Sequence, residues 1–168
     1  MNQRDSTISA PELTVGSTLR HPALLWSSFF GVGFLPKAPG TWGSIAAVLV
    51  WWFGLVHLSI LVACTLVIVY ALISIWAADK VGKDFQVKDA GAIVADEVAG
   101  MWLALLFVPA TWWLVLIAFF LFRCLDIVKP WPIGWLDREL PGGWGVMADD
   151  LVAGLLTGIV VLVISFAV

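Results

Sequence analysis

Asp96-Glu97 and Asp149-Asp150 are two pairs of adjacent acids, each set directly against a long stretch without formal charge. After Glu97 the next charged residue is Arg123, and after Asp150 there is none. A carboxylate at the rim of an apolar segment is costly to desolvate and needs a partner, and a divalent cation is an obvious one. Either pair alone is equally well explained as helix capping, since acids favour a helix N-terminus by about 0.3–1 kcal/mol. The neighbouring glycines shift the balance. Asp96 and Gly100 are four residues apart, as are Asp150 and Gly154, with Gly158 four further on. That spacing puts acid and glycine on one helix face, and a small residue lets another backbone approach. Each pair therefore aims one acid at a tight helix–helix contact, where metal ligands would converge.

Asp126 is a third candidate. Arg123, Asp126 and Lys129 recur every three residues and share a helical face. They form either a surface salt-bridge ladder or a ligand flanked by two cations that neutralise a bound anion. Hard carboxylate oxygens without His or Cys suit Mg²⁺, which takes a few carboxylates plus water and phosphate. The segment Gly33–Ser44 carries three glycines before Ser44 and two prolines. Its N–H groups, with Lys37, Thr41 and Ser44, could hold a phosphate where the next helix begins; otherwise it is a rigid turn with Ser44 as helix cap. It is not the P-loop pattern, which needs Gly-Lys-Ser/Thr in sequence. His57 falls in a distal turn and His21 precedes Pro22, so both are expected to be structural or solvated.

These residues need elements to position them, and composition says which. Of 168 residues, 61% are hydrophobic and 12% charged, with mean hydropathy +1.00. Soluble domains carry about 25% charged residues, so lipid is the natural environment for the excess apolar surface. Eleven Trp agree with membrane interfaces, and Trp131 and Trp135 are expected to steady the loop after Lys129. A net charge of -3 without a basic tail argues against nucleic acid. Cys64 and Cys124 fit no disulfide or metal spacing and are expected to be buried small hydrophobes.

All charges fall in three blocks, Arg4–Lys37, Asp79–Glu97 and Arg123–Asp150, each with three Lys/Arg. The stretches after them are 41, 25 and 18 residues long. The first fits two crossings of about 20 residues with a turn at Gly54, His57 and Ser59. The second, Val98–Phe122, is one helix or two meeting near Pro109, with Thr111 capping the second. One crossing would export Arg123, Lys129 and Arg138, against the positive-inside tendency; two helices, from near Gly91 to near Lys129, keep every basic block on one side. The last stretch crosses once. The expectation is an all-α, integral membrane bundle of about five membrane helices, with both acid pairs on the cytoplasmic face. A short interfacial helix from Pro22 to Phe30 precedes it, ended by Gly31-Val-Gly33. Residues 1–18 are expected to be a loose tail without a cleaved signal, and 19–168 the membrane domain.

Four motifs in order resemble the phosphatidylglycerophosphatase A family. They are Pro36-Lys-Ala-Pro-Gly-Thr-Trp-Gly-Ser44, Ile93-Val-Ala-Asp-Glu-Val-Ala-Gly100, Arg123-Cys-Leu-Asp-Ile-Val-Lys-Pro-Trp-Pro132 with Asp137-Arg138, and Gly145-Val-Met-Ala-Asp-Asp-Leu-Val-Ala-Gly154. The resemblance runs from about Leu19 onward. It implies a Mg²⁺-dependent phosphatase of the bacterial inner membrane, acting on phosphatidylglycerophosphate to give phosphatidylglycerol. By motif match, Asp96, Glu97, Asp126, Asp149 and Asp150 inherit the catalytic, metal-binding acids. Lys37, Thr41, Arg123 and Lys129 inherit the phosphate-binding positions.

Other phosphatase chemistries are absent from the sequence. There is no Cys-(any five)-Arg loop, no Asp-x-Asp nucleophile and no Lys/Arg/His signature of vanadium-haloperoxidase-like lipid phosphatases. Metal-activated water remains, with Glu97 or Asp150 taking its proton. The motifs do not read the lipid, so another lipid phosphate monoester is the alternative substrate. Other classes are a divalent-cation transporter, which would need acids within the apolar spans, and a structural subunit. Neither the number of metals nor the oligomeric state is legible.

Overall fold

The computed structural model describes residues 13–87 and 90–167. Most of the expected tail lies outside them; within it, Val15–Thr18 form one helical turn, α1, capped by Thr14. The other helices are α2 (Pro22–Ser27), α3 (Pro39–Phe53), α4 (Ile60–Phe85), α5 (Ala95–Leu105), α6 (Trp112–Val128), α7 (Ile133–Glu139) and α8 (Gly142–Ala167). The protein is all-helical, with no strand among the described residues.

Three helices are long and apolar enough to cross a membrane: Pro39–His57 (α3 with the 3-10 turn after it), α4 and α8. Phe53, Leu61, Phe120 and Val163 are among many large apolar side chains facing outward. A soluble monomer rarely exposes so much contiguous apolar surface.

The buried centre is α5. Val98, Ala99, Gly100, Met101, Trp102 and Ala104 are all buried, and a helix apolar on every side belongs inside. It packs against α8, α3, α4 and α6. Gly54, the 3-10 turn Leu55–His57 and Ser59 reverse the chain between α3 and α4 at the expected place. Yet those helices pack on α5 as their shared partner, and the Trp102 indole donates to the Ala47 carbonyl at 2.9 Å.

The charge-free stretch Val98–Phe122 is two helices. The break covers residues 106–111 and contains Pro109, which cannot donate within a helix. Thr111 sits at the α6 cap position, but its side chain makes no capping bond. α5 starts at Ala95 rather than near Gly91, because the Val94 N–H is drawn to the Ser27 carbonyl at 2.9 Å. The eleven residues of α5 span about 16 Å at 1.5 Å each, roughly half a hydrocarbon core.

α2 begins with Pro22 at its first position but stops at Ser27, short of the expected Phe30, as Phe29 and Phe30 adopt positive φ. His21 has a structural role. Its Nδ1 accepts the Leu24 N–H at 3.2 Å, so Nε2 carries the proton it offers Asp84 at 2.8 Å. Cys124 is exposed on α6 and Cys64 half-buried, against the expected burial of both. Of the two Trp expected to steady the loop after Lys129, Trp131 is 84% exposed and Trp135 49%.

Candidate active site

The acids are brought together by a glycine seam. A methyl group on Gly154 would overlap the Gly100 carbonyl, and one on Gly100 would meet the Asp150 carbonyl and the Phe122 ring. α5 and α8 therefore touch backbone to backbone there. The acids four residues earlier on each helix, Asp96 and Asp150, converge. One carboxylate oxygen from each of Asp96, Glu97 and Asp150 falls within 4.8 Å of the other two. Gly158, against the Ala104 carbonyl and Phe107, extends the seam by a turn.

The first turn of α3 closes one side. Helix α3 starts at Pro39, so Gly40, Thr41 and Ser44 are helical rather than part of an irregular loop. Ser44 is no cap: its hydroxyl donates to the Gly40 carbonyl at 2.9 Å, one turn back. Gly40 lies so near Glu97 that a methyl there would overlap the carboxylate.

Arg123 holds the acids rather than facing the open space. Its guanidinium is 2.6 Å from Asp126 and 3.7 Å from Glu97, and 3.5 Å from the Ser44 hydroxyl. The expected ladder is broken at Lys129. This residue caps α6 in the left-handed region (φ 46°) and makes no ion pair with Asp126. Lys129 instead contacts Asp149 at 2.6 Å and Asp137 at 3.1 Å. Burial by itself would depress its pKa. The bonds to Asp149 and Asp137 outweigh that and hold it above the ordinary lysine range, so it is charged at every physiological pH. Its ion pairs stabilise the fold fully below the ordinary lysine value and lose that effect only as pH rises through the raised one.

The acids line a cavity of about 470 Å³ with Pro39, Gly40, Lys129, Asp137 and Arg138. Six carboxylates face two cations there. Glu97 Oε2, Asp149 Oδ1 and Asp150 Oδ1 are buried without a hydrogen-bond partner. Buried carboxylate oxygens are normally satisfied. An oxygen-only set with spare lone pairs beside a water-accessible cavity fits a hard divalent cation.

Of the sequence candidates, Asp96, Glu97, Asp126, Lys129, Asp149 and Asp150 line this cavity and Arg123 lies behind it. Lys37 is exposed with φ 76°, and Thr41 is half-buried in the first turn of α3; neither lines the cavity. Asp137 and Arg138 do line it. Their place beside the Pro130-Trp-Pro132 turn in one motif was the available signal. The Gly40/Ser44 four-residue spacing was another, for Ser44 meeting Arg123.

The phosphatidylglycerophosphatase A family model matches residues 25–165. The chain is 39% identical over 140 residues to a phosphatidylglycerophosphatase A of Escherichia coli, covering 83% of this chain and 81% of that one. It is 38% identical over 153 residues to the protein of that name from Haemophilus influenzae, covering 89% and 92%. It is 37% identical over 154 residues to a Bacteroides thetaiotaomicron protein provisionally named phosphatidylinositol-3-phosphatase, covering 88% and 95%. No solved structure gives a significant match.

Proposed function

We propose that this chain, which belongs to the phosphatidylglycerophosphatase A family, hydrolyses the terminal phosphate monoester of phosphatidylglycerophosphate, giving phosphatidylglycerol and inorganic phosphate. The observation that carries the chemistry is the convergence of Asp96, Glu97 and Asp150 on one cavity with buried, unpartnered carboxylate oxygens. The protein acts from within the bacterial inner membrane, with the cavity facing the cytoplasm. In this reading α3, α4 and α8 cross the membrane, while α5 and α6 enter it as a hairpin that turns near Pro109 and returns to the same side, which keeps the basic blocks together, as the positive-inside tendency favours.

Asp96, Glu97 and Asp150 would hold Mg²⁺. When bound, the ion supplies Lewis acidity toward the phosphoryl oxygens and acidifies water. Arg123 fixes Glu97 and Asp126, and Lys129 fixes Asp149. Water attacks phosphorus as the bond from phosphorus to the glycerol oxygen breaks. Glu97 Oε2 or Asp150 Oδ1 takes the water's proton, and that proton passes on to the departing glycerol oxygen, giving the hydroxyl of phosphatidylglycerol. A phosphate dianion would be repelled by six carboxylates facing two cations, which favours a metal-loaded site.

The relative provisionally named phosphatidylinositol-3-phosphatase favours a second reading, in which another lipid phosphate monoester is the substrate. Purified protein assayed on phosphatidylglycerophosphate, phosphatidate and phosphatidylinositol 3-phosphate, with Mg²⁺ and with EDTA, separates the two. Preferred, EDTA-sensitive release from phosphatidylglycerophosphate is expected. Equal turnover of all three would defeat the specific assignment, and cation flux into liposomes without phosphate release would defeat the enzymatic one.

A further inference from the structure

We propose that Arg138 captures the phosphate monoester of the incoming substrate at the mouth of the cavity. This deepens the phosphatase reading above and rests on it. The cavity has only two cationic side chains among its described lining, Lys129 and Arg138. Lys129 already serves Asp149 and Asp137. Arg123, the other cation of the region, lies behind the wall, engaged with Asp126 and Glu97. Arg138 makes no ion pair with any described residue, is exposed, and still lines the cavity.

Its position is fixed rather than incidental. Ile133 of α7 is fully buried, Gly134 packs against the Lys129 carbonyl, and Asp137 is tied to Lys129. These inward residues hold the helix while Arg138 stays at the rim. Trp135, one turn earlier on the same side, is half-exposed, and Trp at such a place favours the headgroup layer of a membrane. A planar guanidinium there can offer two parallel N–H donors to a phosphate. It also supplies the positive charge that an acid-lined cavity needs if an anion is to enter.

The test compares wild type, Arg138→Ala and Arg138→Lys, with Lys83→Ala as an exposed control outside the cavity. Inorganic phosphate binding in Mg²⁺ is measured by calorimetry. KM and kcat are measured on phosphatidylglycerophosphate in mixed micelles and on soluble glycerol 3-phosphate. Losing a charge-assisted bond predicts phosphate binding weaker and KM higher by roughly tenfold to a hundredfold in Arg138→Ala. The change should appear with both substrates, with kcat altered far less and an intermediate effect in Arg138→Lys. Phosphate affinity within about twofold of wild type, a kcat loss at constant KM, or an effect on the lipid alone would each overturn it. If wild type hydrolyses no lipid phosphate yet binds inorganic phosphate through Arg138, the substrate assignment falls and the binding site stands.

Discussion

Two groups of acids differ in what surrounds them. At the C-terminal end of α4, Asp79 pairs with Lys83 at 2.5 Å and Asp84 with Lys80 at 2.7 Å and His21 at 2.8 Å. The two lysine pairs lie four residues apart on one helix at the surface, and every acid has its cation. Around the α5–α8 crossing, acids outnumber cations, come from four helices, and leave carboxylate oxygens buried and unpartnered. The first group is a solvated helix end. The second is held in an unfavourable charge state by the packing of the bundle, which is the mark of a site kept for function at a cost in stability.

The sharpest test of that contrast is Asp150→Asn. It should lower phosphate release by about a thousandfold or more, the scale of losing a group that acts on the reacting centre. It should also raise Tm by a few °C, since removing one of several crowded like charges relieves repulsion and about 1 kcal/mol is worth roughly 2–4 °C in a domain this size. Activity assays and thermal melts of the same preparation check both, and a lowered Tm would mean that the acids are structural. EDTA should abolish activity. Mg²⁺ should raise the Tm of wild type but not of Asp150→Asn, through binding to the folded state alone; equal shifts would place the ion elsewhere.

Arg123→Met leaves Glu97 and Asp126 without their shared cation. A loss of about 3–5 kcal/mol is expected for breaking one side of a buried ion pair, read by denaturant or thermal unfolding in detergent. Smallest of all, Asp84→Asn should leave activity within about twofold and Tm within about 1 °C, as exposed pairs contribute little. A large effect there would erase the distinction between the two groups.

The seam, the all-helical class and the chain reversals were the legible parts; of the five membrane helices expected, three are long and apolar enough to cross. Charge-free lengths placed the turns near Gly54 and Pro109, and the four-residue spacing of Asp96 with Gly100 and Asp150 with Gly154 anticipated which faces meet. What stayed hidden depends on contacts between segments distant in sequence. The start of α5 is set by a bond from Val94 to Ser27, 67 positions earlier in the chain. Lys129 leaves the helical face it shares in sequence with Arg123 and Asp126 because its own backbone turns left-handed. Periodicity assumes that the helix continues. It therefore read Arg123 and Lys129 as equivalent anion binders, whereas one sits behind the wall and the other is fastened to Asp149.

The contact between Gly100 and Gly154 also sets a limit on change. The carbonyl of Gly100 lies where the next atom on Gly154 would go, and the acids stand one turn away on both helices. Nothing larger can enter the seam without moving Asp96 and Asp150 apart. The usual route to a sturdier helical bundle, filling helix crossings with larger side chains, is therefore closed at this crossing. Tolerance to substitution should instead lie on the exposed apolar sides of α4 and α6, where volume can be added far from the acids.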